Sequence, residues 1–193
     1  MENSLSLPEG YGKILEIDLQ KNKKLMILVN GIALVIMLAL AMLGAYIVPI
    51  DTFFGDGEVW YAPLIKLAVM MLGYVAYIIL HELVHGVFMK HFSGVKPKYG
   101  FTLIYAYAGS EAYFNKKSYI IIALAPVVIW GAVLGVLCAV LPQSWFWVVY
   151  FIQIGNISGA AGDFYVTLKF LKLPKDILVN DTGVAMTVYG KNN

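Results

Sequence analysis

Arginine is absent from this 193-residue chain, and charge of either sign is scarce, at 13% of residues. Without guanidinium forks or a basic stripe, and with a net charge of only +2, the chain lacks the footprint of a nucleic-acid-binding protein. Cysteine occurs once, as Cys138 in an apolar run, so an intrachain disulfide framework is excluded and the thiol reads as a small core or lipid-facing residue. What fills the chain instead is apolar: hydrophobic residues reach 60% and mean hydropathy is +0.75. Soluble domains carry about 45–50% apolar residues, so this composition belongs in a bilayer.

Four stretches meet the requirement of roughly 20 apolar residues for crossing about 30 Å of hydrocarbon. They cover about 25–50, 62–90, 119–141 and 145–171. The chain opens with polar residues of mixed charge rather than a short signal core, so the first stretch reads as an uncleaved anchor. The loop over 51–61, with Asp51, Asp56 and Glu58, contains only acidic charge, and Trp60 and Tyr61 stand where an aromatic belt lies. Thirteen of the fourteen lysines fall before 25, within 90–118 or after 168, the exception being Lys66. The positive-inside rule then places both termini in the cytoplasm. Between the second and third stretches, Phe101, Leu103, Tyr105 and Tyr107 alternate with smaller residues, a period-two strand signal. Gly109-Ser110 is positioned to turn this strand back into Ala112–Phe114 as a membrane-associated hairpin. The fold expected is an all-α membrane protein with four transmembrane helices and a β-hairpin-like loop between helices 2 and 3. Its organisation is a cytoplasmic segment over 1–24, a four-helix membrane domain over 25–172 and a cytoplasmic tail over 173–193.

The second stretch closes on His81-Glu82-Leu83-Val84-His85, which reads HExxH. Residues four apart on a helix lie within about 40° of each other, so both imidazoles reach one Zn²⁺ with Glu82 beside them as general base. A catalytic zinc needs a third protein ligand that leaves one position for water. The candidates are His91, Glu111 and Asp163. His91 has the spacing of the longer HExxHxxGxxH motif, but Phe88 stands where that motif needs a turning glycine. On a continuing helix His91 points about 240° away from His85. Asp163 is a carboxylate in an apolar stretch, where such a group ordinarily marks a functional site. His81 is 19 residues from Ala62 and Asp163 is 18 from Trp145. At 1.5 Å per residue both sit about 27–28 Å from the outer surface, on parallel helices. Asn156, seven residues before Asp163, shares its face. It either bonds a substrate carbonyl or a ligating histidine, or acts as interhelical glue.

HELVH on one apolar helix, followed by Asp163 on a later glycine-rich one, resembles the site-2 protease family of intramembrane zinc metalloproteases. The chain is also similar to a bacterial membrane family of zincin peptidases. It shares with that family the HELxHG start, here His81 to Gly86, Ala123-Leu124-Ala125-Pro126 at the opening of the next helix, and Gly162-Asp163-Phe164. The likeness implies a zinc peptidase of the bacterial cell membrane, with His81, His85 and Asp163 on the metal and Glu82 and Asn156 catalytic. The site-2 pattern has Leu-Asp-Gly where this chain has Gly162-Asp163-Phe164.

The expected activity is hydrolysis of peptide bonds in or near the membrane, with a membrane protein or peptide as substrate. Imidazoles must shed their protons to bind metal, so activity falls in acid. The alternatives are a transporter or scaffold with a structural HExxH, and a zinc hydrolase acting on a lipid or lipidated peptide.

Overall fold

The computed structural model describes residues 2–55, 59–102 and 105–192. Asp56, Gly57 and Glu58 of the acidic loop, and Leu103 of the alternating stretch, lie outside the described residues. In chain order the elements are β1 (Tyr11–Ile17), α1 (Lys23–Ile47), α2 (Ala62–Ser93), β2 (Lys98–Phe101), β3 (Ala106–Gly109) and β4 (Tyr113–Asn115), then α3 (Lys116–Val140), α4 (Phe146–Gly159), α5 (Ala161–Leu171), β5 (Leu178–Asp181) and β6 (Met186–Lys191).

Three of the helices, α1, α2 and α3, are long and apolar enough to cross a membrane. In the most apolar part of α1 only 6% of the residues are buried. Apolar exposure of that extent marks a surface for a membrane or a partner.

The expectation of an all-α protein with four transmembrane helices does not hold. Among the described residues, six strands form a four-stranded antiparallel sheet, ordered β1-β6-β5-β4, and a two-stranded sheet, β2-β3. The fourth expected span is interrupted at Ala160, which leaves α4 with 14 residues and α5 with 11. Each is shorter than a crossing requires. The interruption falls in Gly159-Ala160-Ala161-Gly162, where two glycines weaken helix propagation. The hairpin is also re-paired. β3 pairs with β2, whereas β4 pairs with β5, so Gly109-Ser110 does not join the two strands of a hairpin. Strands β1 and β6, one from each end of the chain, pair along their lengths. A bulge between Lys13 and Leu15 lets Leu15 and Ile17 face inward while Ile14 stays exposed.

The chain divides into two compact units. One comprises Met1–Val29, Leu80–Pro126 and Gly162–Asn193. Its core joins the four-stranded sheet to the end of α2, the start of α3 and α5, around Phe114, Phe170, Ile177, Val179 and Val188, all fully buried. Asn115 caps α3, its Oδ1 accepting the Ser118 N–H at 2.9 Å. Lys116 donates to the carbonyls of Leu171, the last residue of α5, and of Leu173 beyond it. The second unit comprises Asn30–Ile79 and Val127–Ala161. Aromatic packing dominates it, with Phe146 stacked on Tyr150 at 4.9 Å. The buried Lys66 ammonium donates to the Phe53 carbonyl at 3.0 Å.

Candidate metal centre

His81 and His85 lie one turn apart near the end of α2, with ring centroids 4.9 Å apart. Asp163 is the third residue of α5, so the helix break puts its carboxylate in a first turn rather than in mid-helix. A helix N-terminus carries partial positive charge and favours an anion there. The His81 Nε2 lies 3.7 Å from Asp163 Oδ2, and His85 Nε2 lies 3.8 Å from Oδ1. One donor atom from each of the three residues falls within 4.8 Å of the others. Donors at about 2.1 Å from a tetrahedral zinc stand roughly 3.4 Å from each other, so this donor set fits Zn²⁺ in both spacing and chemistry. All three residues belong to the first compact unit.

The second nitrogen of His85 is also engaged. Nδ1 lies 2.9 Å from the Ile122 carbonyl of α3. A carbonyl only accepts, so Nδ1 carries a proton, and in the neutral ring Nε2 is then the nitrogen that has the lone pair for a metal.

Glu82 is within electrostatic reach of His85, Asp163 and Asp181, and the Ala108 backbone N–H on β3 donates to its carboxylate. Because this N–H serves Glu82, it does not serve β2, and the outer edge of the hairpin faces the candidate base. Gly86, which follows HELVH, allows the approach. A Cβ at this position would lie 2.0 Å from the Tyr99 hydroxyl on β2. Burial and the neighbouring Glu82 raise the Tyr99 hydroxyl above its usual range.

Sequence reasoning overlooked the groups behind the histidines. The Tyr119 hydroxyl of α3 donates to Asp181 Oδ2, and the Gly183 N–H donates to Oδ1 at 2.8 Å. Burial raises the Asp181 carboxyl above the ordinary range, against the lowering effect of these two donors and of His85. Asn180-Asp181-Thr182-Gly183 is legible as a turn, with Gly183 at φ +83°, but nothing local relates that turn to residues a hundred positions earlier.

The other sequence candidates lie elsewhere. His91 is exposed, its ring against Phe92. Glu111 is exposed and paired with Lys98, whose ammonium holds its carboxyl below the usual range. Asn156 is fully buried in the second unit. It accepts from the Tyr77 hydroxyl at 3.0 Å and donates to the Val127 carbonyl at 3.2 Å, which ties α4 to α2 and α3.

No solved structure matches the chain. An uncharacterized 24.7 kDa protein in the gap 5′ region of Pyrococcus woesei is 30% identical over 122 residues, 61% of this chain and 53% of that protein. The chain therefore spans about half the length of this curated relative. A family model described as "putative zincin peptidase" matches residues 74–178, which is more than half of the chain and contains HELVH and Asp163. The family implies zinc as cofactor, the donor set fits that metal, and the chain belongs to this family, described as "putative zincin peptidase".

Proposed function

We propose that the chain is a membrane-embedded zinc peptidase that hydrolyses peptide bonds at or near the cytoplasmic face. The observation that carries this reading is the convergence of His81 Nε2, His85 Nε2 and Asp163 beside Glu82. Zinc held by the three residues would supply a Lewis acid for the scissile carbonyl and lower the pKa of water to about 7. Glu82 takes the proton of the attacking water and delivers it to the leaving amine. The Ala108 N–H orients the Glu82 carboxylate for that transfer.

The β2–β3 hairpin is the proposed substrate platform. On the β3 side the Ala108 N–H serves Glu82 and the Ser110 N–H serves the Asp181 carbonyl, so the edge proposed for an extended peptide is that of β2. A peptide on the β2 edge, where Tyr99 is within electrostatic reach of Glu82, would lie near that base, which favours a backbone substrate over a lipid ester. The β1–β6 pairing supports placing both termini on one side of the membrane, and the lysine distribution favours the cytoplasm.

The experiment is to express wild type and Glu82→Gln in the native membrane and compare protein termini and lipids by mass spectrometry. Accumulation of uncut membrane-protein precursors in Glu82→Gln is the expected result. Accumulation of a lipid species with no change in protein termini would contradict the peptidase reading.

A further inference from the structure

Helix α3 runs unbroken from Lys116 to Val140 with Pro126 inside it. Proline has no N–H, so the carbonyl four residues earlier loses its helical donor, and the ring pushes that carbonyl away from the helix axis. Four residues before Pro126 is Ile122, whose carbonyl accepts the His85 Nδ1–H at 2.9 Å. Pro126 is fully buried and Ile122 is 1% exposed, so bulk water has little access to that oxygen. A buried carbonyl without a donor is costly, and His85 is the donor that meets this need.

We propose that Pro126 is a positioning residue for the metal centre: it frees the Ile122 carbonyl from the helix ladder so that His85 donates to it through Nδ1 and presents Nε2 to the metal. The proline thus acts through a missing donor rather than through a bend in the helix. An ordinary residue at 126 would offer an N–H to the same carbonyl, competing with His85 and releasing the imidazole to swap tautomers or rotate. The inference rests on the zinc reading for its purpose, but its structural content is the hydrogen bond between His85 Nδ1 and the Ile122 carbonyl, which is present without metal.

The test uses the full-length, metal-free protein in lipid nanodiscs with ¹⁵N-labelled histidine, followed by zinc titration. At a pH high enough to keep imidazoles neutral, the wild-type His85 ring should show a single tautomer, protonated at Nδ1. Pro126→Ala restores a backbone N–H and should mix in the Nε2–H tautomer. It should also weaken zinc binding about 10–100-fold, as loss of a ligand's outer partner does. A second variant replaces Pro126 by lactic acid, the ester analogue of alanine, which has neither ring nor N–H. It should retain the wild-type tautomer and zinc affinity. The proposal is overturned if Pro126→Ala leaves both readouts unchanged, or if the alanine and ester variants are impaired alike, since the ring itself would then be the active feature. Absence of zinc uptake by wild type would sink the zinc reading while leaving the tautomer result to stand or fall separately.

Discussion

Asp163 illustrates how one side chain takes its role from three levels of structure. The residue type supplies the anion, the break at Ala160 places it in the first turn of α5, and packing of α5 against the end of α2 brings it to two imidazoles. Glu82 differs in having a backbone N–H as its partner. Replacing it with glutamine should leave zinc in place and lower turnover about 10²–10⁴-fold, the usual contribution of a general base. A Glu82→Gln protein that has lost its zinc would mean that Glu82 is part of the metal's support. Asp181 gives a pH-dependent prediction. Its folded pKa is raised, so the folded protein holds a proton there that the unfolded chain releases near pH 4. This contribution to stability is present below about pH 4 and is lost as pH rises through the folded value. The melting temperature of metal-free protein should therefore fall over that window in wild type and fall less in Asp181→Asn. Equal pH dependence in the two proteins would contradict the assignment.

The helices were readable from the sequence because a span is a local property: length and hydropathy identify α1, α2 and α3 to within a few residues. The sheets were not, because their pairings are remote. β4 pairs with a strand some sixty residues later, and β1 with one at the far end of the chain. No local period announces such partners, and the short strands β4 and β5, at three and four residues, barely show alternation. The hairpin was visible as alternation but took a different register, since β4 gains more from joining the larger sheet, where Phe114 is fully buried. The approach of this hairpin to α2 depends on Gly86. Gly86→Leu should push Tyr99 and β2 away from the helix and depress peptide cleavage while zinc content stays normal. Normal cleavage in this variant would remove the hairpin from the account of substrate binding.

At the scale of the whole molecule, an apolar exterior on α1 and α2 coexists with a sheet that draws on both ends of the chain. HELVH announced half of the candidate site in five consecutive residues, whereas its other groups come from α3, α5, β3 and the β5–β6 turn, which only tertiary structure collects. If both termini share one side, single cysteines introduced at Glu9 and Lys191 in a Cys138→Ser background should react with an impermeant thiol reagent from the same side. Labelling from opposite sides would break the proposed topology. The most direct measurement of the central claim is the zinc content of purified full-length protein. Wild type and Glu82→Gln should each carry about one zinc per chain, while His81→Ala, His85→Ala and Asp163→Ala should carry little, because a catalytic zinc rests on three protein ligands. Full zinc occupancy in Asp163→Ala would contradict the claim that α2 and α5 together build the metal centre.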